Sequence, residues 1–236
     1  MLRLLLSALL ALSAAGAQAQ TTHAATYDLT LGGLRAGVVS FSAVEDGGRY
    51  SAAAKAVSSG IVALVQDLGY DARSTGRLNG GGFVPSRYEE TANTGERTSR
   101  AVMEYVGGVP QIKAYDPPQG RRKRDVDPAT QGGTVDPMTA IYALLRDVPR
   151  EEVCRLDVPV FDGRRASRVT TAGPQADGNR IVCEGEYRRV AGFSRSQMRK
   201  KTSFPFTITY VAAGDRYRVE RISIDTLYGR ATLDRR

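Results

Sequence analysis

The chain has one histidine, two cysteines and five lysines among its 236 residues, and each scarcity excludes some chemistry. The lone histidine, His23, follows the first processed-looking segment by four residues, in a stretch that reads as a loose tail. A Ser-His-Asp triad would have to recruit that terminal residue. A zinc site would have to be assembled from one His and the two Cys. No nucleophile-elbow, phosphate-loop or metal-spacing motif occurs. Glu89 and Glu90 are adjacent in a strand-like stretch, where neighbours face opposite sides, so they do not form an acid–base pair. The expectation is a protein with no catalytic residue, no metal and no cofactor. Long apolar runs are also missing after the first twenty residues, so no membrane span is expected in the rest of the chain. There is no repeat of the 20–50-residue kind that builds solenoids or propellers.

What is present begins at the N-terminus. Met1-Leu2-Arg3 is a short basic start, Leu4–Ala15 is apolar and uncharged, and Ala17-Gln18-Ala19 is a small-x-small cleavage pattern. This is the layout of a secretory signal peptide. The apolar run is shorter than the roughly 20 residues that span a bilayer. The expected division is therefore a signal peptide over 1–19 and a single β-rich domain over 20–236, soluble, periplasmic and without a lipid-anchoring Cys at the cleavage site. Formal charge is +8, and arginine dominates the positive set because Lys55, Lys113, Lys123, Lys200 and Lys201 are the only lysines. In a cytoplasmic protein this balance would suggest nucleic acid. For an exported one the available polyanions are phospholipid headgroups, lipopolysaccharide and other envelope polymers. A solvated Arg-rich surface with no partner is the plainer alternative. Cys154 and Cys183, even in number and exported, are expected to form a disulfide.

After residue 25 the dominant pattern is period-two alternation broken by Gly-rich turns, which marks antiparallel strands in a meander. Tyr27, Leu29 and Leu31 share one face; Val39, Phe41 and Ala43 share another; Gly32-Gly33, Asp46-Gly47-Gly48 and Asn79-Gly80-Gly81-Gly82 supply turns. Phe83–Asn93 and Glu96–Val106 read as a hairpin about Thr94-Gly95, with a short strand near Gln111–Tyr115. Phe204, Phe206, Ile208 and Tyr210 alternate with polar residues, and the last strand slips phase near Glu220, as a β-bulge would make it. Two helices are expected. One is short and apolar, capped by Ser58 or Ser59 and carrying Ile61, Leu64, Val65 and Leu68. The other runs from Asp136, an N-cap followed by Pro137, to about Arg146, with Met138, Ile141, Tyr142 and Leu145 in one stripe. Residues 116–133, with Pro117-Pro118 and Arg121-Arg122-Lys123-Arg124, read as a mobile basic surface loop.

About ten to twelve strands in one domain should curl rather than stay flat. The fold class is thus mainly β: a curled antiparallel meander forming an open β-barrel or coiled sheet, with one helix packed on or capping it. The cysteines point the same way. Cys154 is in phase with Leu156 and Val158, and Cys183 with Ile181. Strands one and three of a flat meander lie about 9.6 Å apart, but a disulfide needs Cα atoms within about 7 Å. The strand between them must stop short, or the sheet must coil sharply.

The opening Tyr27-Asp-Leu-Thr-Leu-Gly-Gly-Leu-Arg-Ala-Gly37, the helix Asp136-Pro137-Met138-Thr139-Ala140-Ile141-Tyr142 and the strand pair around Val160-Phe161-Asp162-Gly163-Arg164 resemble the exported family known as domain of unknown function 3108. That resemblance covers most of the processed chain and brings no catalytic residues with it. The architecture is also similar to the family of the cell-envelope integrity protein EipB, an exported open barrel with an internal disulfide. It is similar again to lipoprotein-carrier barrels, whose half-open sheet shelters acyl chains under helices. These likenesses imply a shape, and shape alone does not establish function.

The residues leave three readings of function. In the first, a non-enzymatic envelope protein uses its curled sheet to bind a lipid, a lipoprotein or an envelope protein. Tyr142, Phe204, Phe206 and Tyr210 are then candidate lining, and Arg195, Arg199, Lys200 and Lys201 a candidate phosphate grip. Core packing and a solvated turn are the plainer readings of the same two groups. In the second, the protein is a hydrolase or transferase acting on envelope substrates. In the third, it is a scaffold that pairs an exposed sheet edge with a partner. Export itself is directly checkable: N-terminal sequencing of the protein from its host should begin at Gln20, and a product retaining Met1 would refute the signal-peptide reading.

Overall fold

A computed structural model describes residues 20–60, 63 and 68–236. The expected signal peptide and most of the expected helix near Ile61, Leu64 and Val65 lie outside the described residues. Leu68 is inside them, as the first residue of a strand.

The described chain forms one antiparallel sheet of 14 strands. They are β1 (Thr21–Leu31), β2 (Leu34–Asp46), β3 (Arg49–Ser58), β4 (Leu68–Asn79), β5 (Gly82–Thr94), β6 (Thr98–Val106), β7 (Val109–Asp116), β8 (Val148–Pro149), β9 (Asp157–Phe161), β10 (Ala166–Asp177), β11 (Arg180–Ala191), β12 (Ser203–Ala213), β13 (Arg216–Thr226) and β14 (Gly229–Arg235). Order across the sheet runs β7-β6-β5-β4-β3-β2-β1-β14-β13-β12-β11-β10-β9, with β8 paired to β13. Two meanders are therefore joined where the first strand meets the last, Tyr27 opposite Arg235 and Leu31 opposite Ala231. The expected turns fall where the glycines placed them. The phase slip is a bulge at Glu220: Thr209 pairs with Arg221, and Tyr210 pairs with Val219.

The sheet curls but does not close. Its edges, β7 and β9, approach one another, and the β9–β10 turn touches Tyr115 of β7. Gly163, with φ +94°, lies so close beneath the Tyr115 hydroxyl that a Cβ would overlap it. The stretch read as a mobile loop occupies the opening. Its tip, Arg121–Arg124, is exposed. Beyond the tip, Asp125 pairs with Arg164 at 2.6 Å, a short 3-10 turn spans Pro128–Thr130, and Val135 forms a parallel bridge with Val160. The Val135 N–H donates to Pro159 O, and Val135 O accepts from the Phe161 N–H. That part of the β9 edge is already paired, which weakens the edge-pairing reading.

The helix α1 (Pro137–Leu145) enters the concave side and touches β3, β4, β5 and β9. Asp136 caps it by accepting from the Thr139 N–H at 2.8 Å. Met138, Tyr142 and Leu145 are buried as the stripe predicts, and Ile141 is half-buried. Thr139, Ala140 and Ala143, on the other flank, are buried too, and no residue of α1 is exposed. A helix covered all round is one enclosed by its fold; here the sheet wraps it.

Three expectations require correction. His23 is no tail residue: β1 begins at Thr21, Thr21 pairs with Glu45, and His23 is 2% exposed. The small polar segment Thr-Thr-His-Ala-Ala conceals an inward phase shared with Tyr27. Cys154 is not in a strand. It follows a 3-10 turn (Arg150–Glu152), has φ 61°, and precedes β9. The chain thus turns inward before joining the sheet, and β10 bulges between Ala172 and Gln175. Together these bring the cysteines to a Cα separation of 5.4 Å and a disulfide. Finally, the basic stretch read as a turn is a helix, α2 (Arg195–Lys200), with a complete capping box between Ser194 and Gln197.

The disulfide links residues 29 apart in sequence, a loop for which chain entropy gives about 3–4 kcal/mol. Cys154→Ser or Cys183→Ser should cost about 2–5 kcal/mol in denaturant unfolding. Two titratable thiols in the unreduced native protein would refute the bond.

Candidate binding cleft

One end of the barrel, where β4 turns into β5 and α1 finishes, holds a cleft of about 510 Å³. Its walls come from separate stretches of the chain: Phe83 after the Gly81-Gly82 turn, Val135 before α1, Ala143 and Arg146 at its end, Val148 to Pro159, Thr171 of β10 and Tyr210 of β12. Phe83, Val135, Val148, Leu156, Val158 and Tyr210 give it an apolar lining, while Arg146, Arg155, Glu151, Glu152 and Asp157 supply both charges around it. Arg146 is 11% exposed, pairs with Glu152 and places its guanidinium 5.5 Å from the Phe83 ring centroid. A cationic group over an aromatic face, beside apolar walls, suits an amphipathic ligand.

Behind the cleft the interior is filled. Tyr142 stacks on Tyr50 at 5.0 Å between centroids and meets Phe83 edge-on at 5.5 Å. Its hydroxyl donates to the Glu45 carboxylate. The same carboxylate lies 3.1 Å from His23 Nε2, and the Asp147 N–H donates to His23 Nδ1 at 3.2 Å. Nδ1 is therefore the acceptor, and Nε2 carries the proton it gives to Glu45. The hydrogen bond from His23, joined by that from Tyr142, holds the Glu45 carboxyl down at about 2 against the opposing effect of burial. Burial and the Glu45 carboxylate raise the Tyr142 phenol, which stays a donor.

A second polar group ties α1 to the sheet. The fully buried Asp136 Oδ2 accepts from Ser74 Oγ at 2.8 Å and from Thr139 Oγ1 at 2.7 Å. Tyr50 Oη lies 2.8 Å from Thr139 Oγ1 and can donate to it. Two hydroxyl protons and one backbone N–H thus serve one carboxylate, with Tyr50 behind Thr139. Burial still pushes Asp136 up to about 6, with these hydrogen bonds opposing it.

Of the residues singled out from the sequence, Tyr210 lines the cleft and Tyr142 lies directly behind Phe83. Phe204 and Phe206 do not reach it. Phe204 packs on Tyr187 at 5.8 Å, with Arg189 and Lys201 over its ring; Phe206 lies on Gly185, where a Cβ would clash with it. Arg195, Arg199, Lys200 and Lys201 belong to α2 and its C-cap, which join β11 to β12 at the other end of the barrel. No linear motif marks Phe83, Arg146, Arg155 or Leu156; only the curl of the sheet brings them together. The missed α2 did carry a signal, the Ser-x-x-Gln spacing of Ser194 and Gln197.

The molecule is an open, β-barrel-like antiparallel sheet that encloses a helix and opens at one end into a cleft. The sequence matches, over residues 26–234, a family described as a protein of unknown function, DUF3108, and the chain belongs to that family. No curated protein matches it. Among solved structures it is similar to a "beta-barrel-like protein of domain of unknown function DUF1849" from Brucella abortus. The TM-score is 0.53 at 14% identity, covering 91% of this chain and 95% of that one. At this identity the likeness concerns the fold.

Asp136 makes the fold sensitive to pH with a definite sign. Its carboxyl is raised from 3.8 to about 6 on folding, so its contribution to stability is full below pH 4 and is lost as pH rises through 6. Asp136→Asn keeps a good N-cap and removes the ionisation. Denaturant unfolding from pH 4 to 7 should show a smaller loss of stability in the variant than in the parent. Equal slopes would refute the assignment.

Proposed function

We propose that this is a non-enzymatic protein of the cell envelope, exported to the periplasm, whose cleft takes an apolar or amphipathic ligand: a lipid, or the lipidated or apolar segment of an envelope protein. The observation that carries this reading is the cleft beside α1, with apolar walls and Arg146 held over Phe83. Its volume of about 510 Å³ lies in the range of small-molecule sites. The N-terminal signal pattern and the Cys154–Cys183 disulfide support an oxidising compartment. The filled interior around Tyr142 argues for a ligand bound at the mouth of the barrel, not along its axis.

Native mass spectrometry of protein purified from its own envelope fraction is the test. The parent should carry a stoichiometric small-molecule mass that lipid extraction releases. Leu156→Glu, which puts a charge on the apolar wall, should lower its occupancy at least tenfold while leaving the melting temperature within a few degrees. A protein free of small molecules but bound to a partner protein would favour the scaffold reading. Turnover of an envelope substrate would favour the enzyme.

A further inference from the structure

The end of the barrel opposite the cleft has a composition of its own. Among the described residues six large apolar side chains are exposed: Leu34, Val57, Val106, Val190, Leu227 and Tyr228. All but Val106 lie at this end, in a turn or within two residues of a strand terminus. Tyr228 is 80% exposed and Leu34 60%, a poor use of apolar surface unless something covers it. The two belong to adjoining turns, because the Gly32 N–H donates to Arg230 O at 2.8 Å across the β1–β2 and β13–β14 connections.

Free positive charge borders these tips. Arg195, Arg199 and Lys200 of α2 are exposed and have no acidic partner among the described residues; the same holds for Arg122, Lys123 and Arg124. Of the acids nearby, Asp225 pairs with Arg230, Asp127 with Arg121 and Asp125 with Arg164, while Asp116 and Glu96 are exposed without an ion pair, so the unmatched basic side chains outnumber the free acids among the described residues. The surface is continuous. Lys201 Nζ donates to Asp225 O at 2.7 Å, tying α2 to the Leu227-Tyr228 turn. Arg165 stacks on Phe193 just before α2, and its neighbour Arg164 contacts the Gln119 and Gly120 carbonyls of the basic loop. At the cleft end the hairpin turns instead carry balanced charge: Asp46 with Arg49, Asp177 with Arg180, and Asp215 with Arg216.

We infer that this end docks on an anionic phospholipid bilayer, with Tyr228, Leu227 and Leu34 entering the headgroup region and α2 and the Arg122–Arg124 tip meeting lipid phosphates. Charge complementarity selects this occupant. Unpaired Arg and Lys around protruding Tyr and Leu is the composition of interfacial anchoring, in which aromatic tips rest at headgroup level and each basic side chain adds affinity for an anionic leaflet. The cleft then points away from the bilayer, and its ligand reading stands or falls separately.

The sequence has no tryptophan, so Tyr228→Trp introduces a single reporter. The chain from Gln20 onward is mixed with vesicles of phosphatidylcholine alone or with phosphatidylglycerol added. Tyr228→Trp emission should shift to the blue only with the anionic vesicles, and the shift should fade in high salt. Val106→Trp, at the opposite end, should not shift. Arg195→Ser, Arg199→Ser and Lys200→Ser combined should weaken co-sedimentation about a hundredfold, with unchanged circular dichroism. Equal response at both ends, equal binding to neutral vesicles, or full binding by the triple variant would overturn the inference. Binding to a soluble polyanion without any Tyr228→Trp shift would also overturn it, and would point to an acidic macromolecule.

Discussion

Everything in this molecule depends on filling the concave side of a long antiparallel sheet. A sheet of this length, apolar on one face, must bury that face on something. The nine residues of α1 provide the filling. So short a helix is marginal alone in water and persists only through contact, so helix and curl require one another. The magnitudes say which contact matters most. The Asp136 cap is worth about 1 kcal/mol, while removing an aromatic such as Tyr142 from a core costs about 3–5 kcal/mol. Aromatic packing holds the helix in; the Asp136 cluster sets where along the sheet it stops.

That arrangement separates the two ends of the barrel. At one, α1 runs out, the chain turns through Val148 to Cys154, and the disulfide pins the turn to β11. The walls there come from stretches that diverge after leaving the core, which is why a cleft remains. At the other, strands end in short turns and α2 covers the β11–β12 connection. The apolar tips Leu34, Leu227 and Tyr228 are exposed there.

Much of the architecture was legible along the chain. Alternation such as Phe204-Phe206-Ile208-Tyr210 identifies strands because a pleated strand has only two faces. The glycine pairs identify turns because they tolerate positive φ. The phase change from Val219 to Ile222 located the bulge because one extra residue exchanges the faces. The reading failed where local pattern and burial part company. Small polar residues around His23 resemble a tail, yet they lie on a central strand between β2 and β14. Cys154 keeps strand phase with Leu156 and Val158 but sits outside the strand, in a turn that phase cannot reveal. The candidate site was the least legible part. Tyr210 was found, but Phe204 and Phe206 share its alternation and lie elsewhere, because a strand carries one face through several environments.

The sequence by itself determined the strands and α1, the antiparallel meander, the cysteine pairing and the α1 boundaries, since all of these follow from periodicity, turn chemistry and composition. Tertiary structure alone decided that the first strand joins the last, that α1 is wrapped on every side, and that Phe83, Arg146 and Leu156 meet in a cleft. It also decided that the unpaired basic residues of α2 gather with Leu34 and Tyr228 at the far end. The physical reason is that strand order and sheet curvature are collective: they depend on how whole faces bury one another, and no short stretch of chain encodes them.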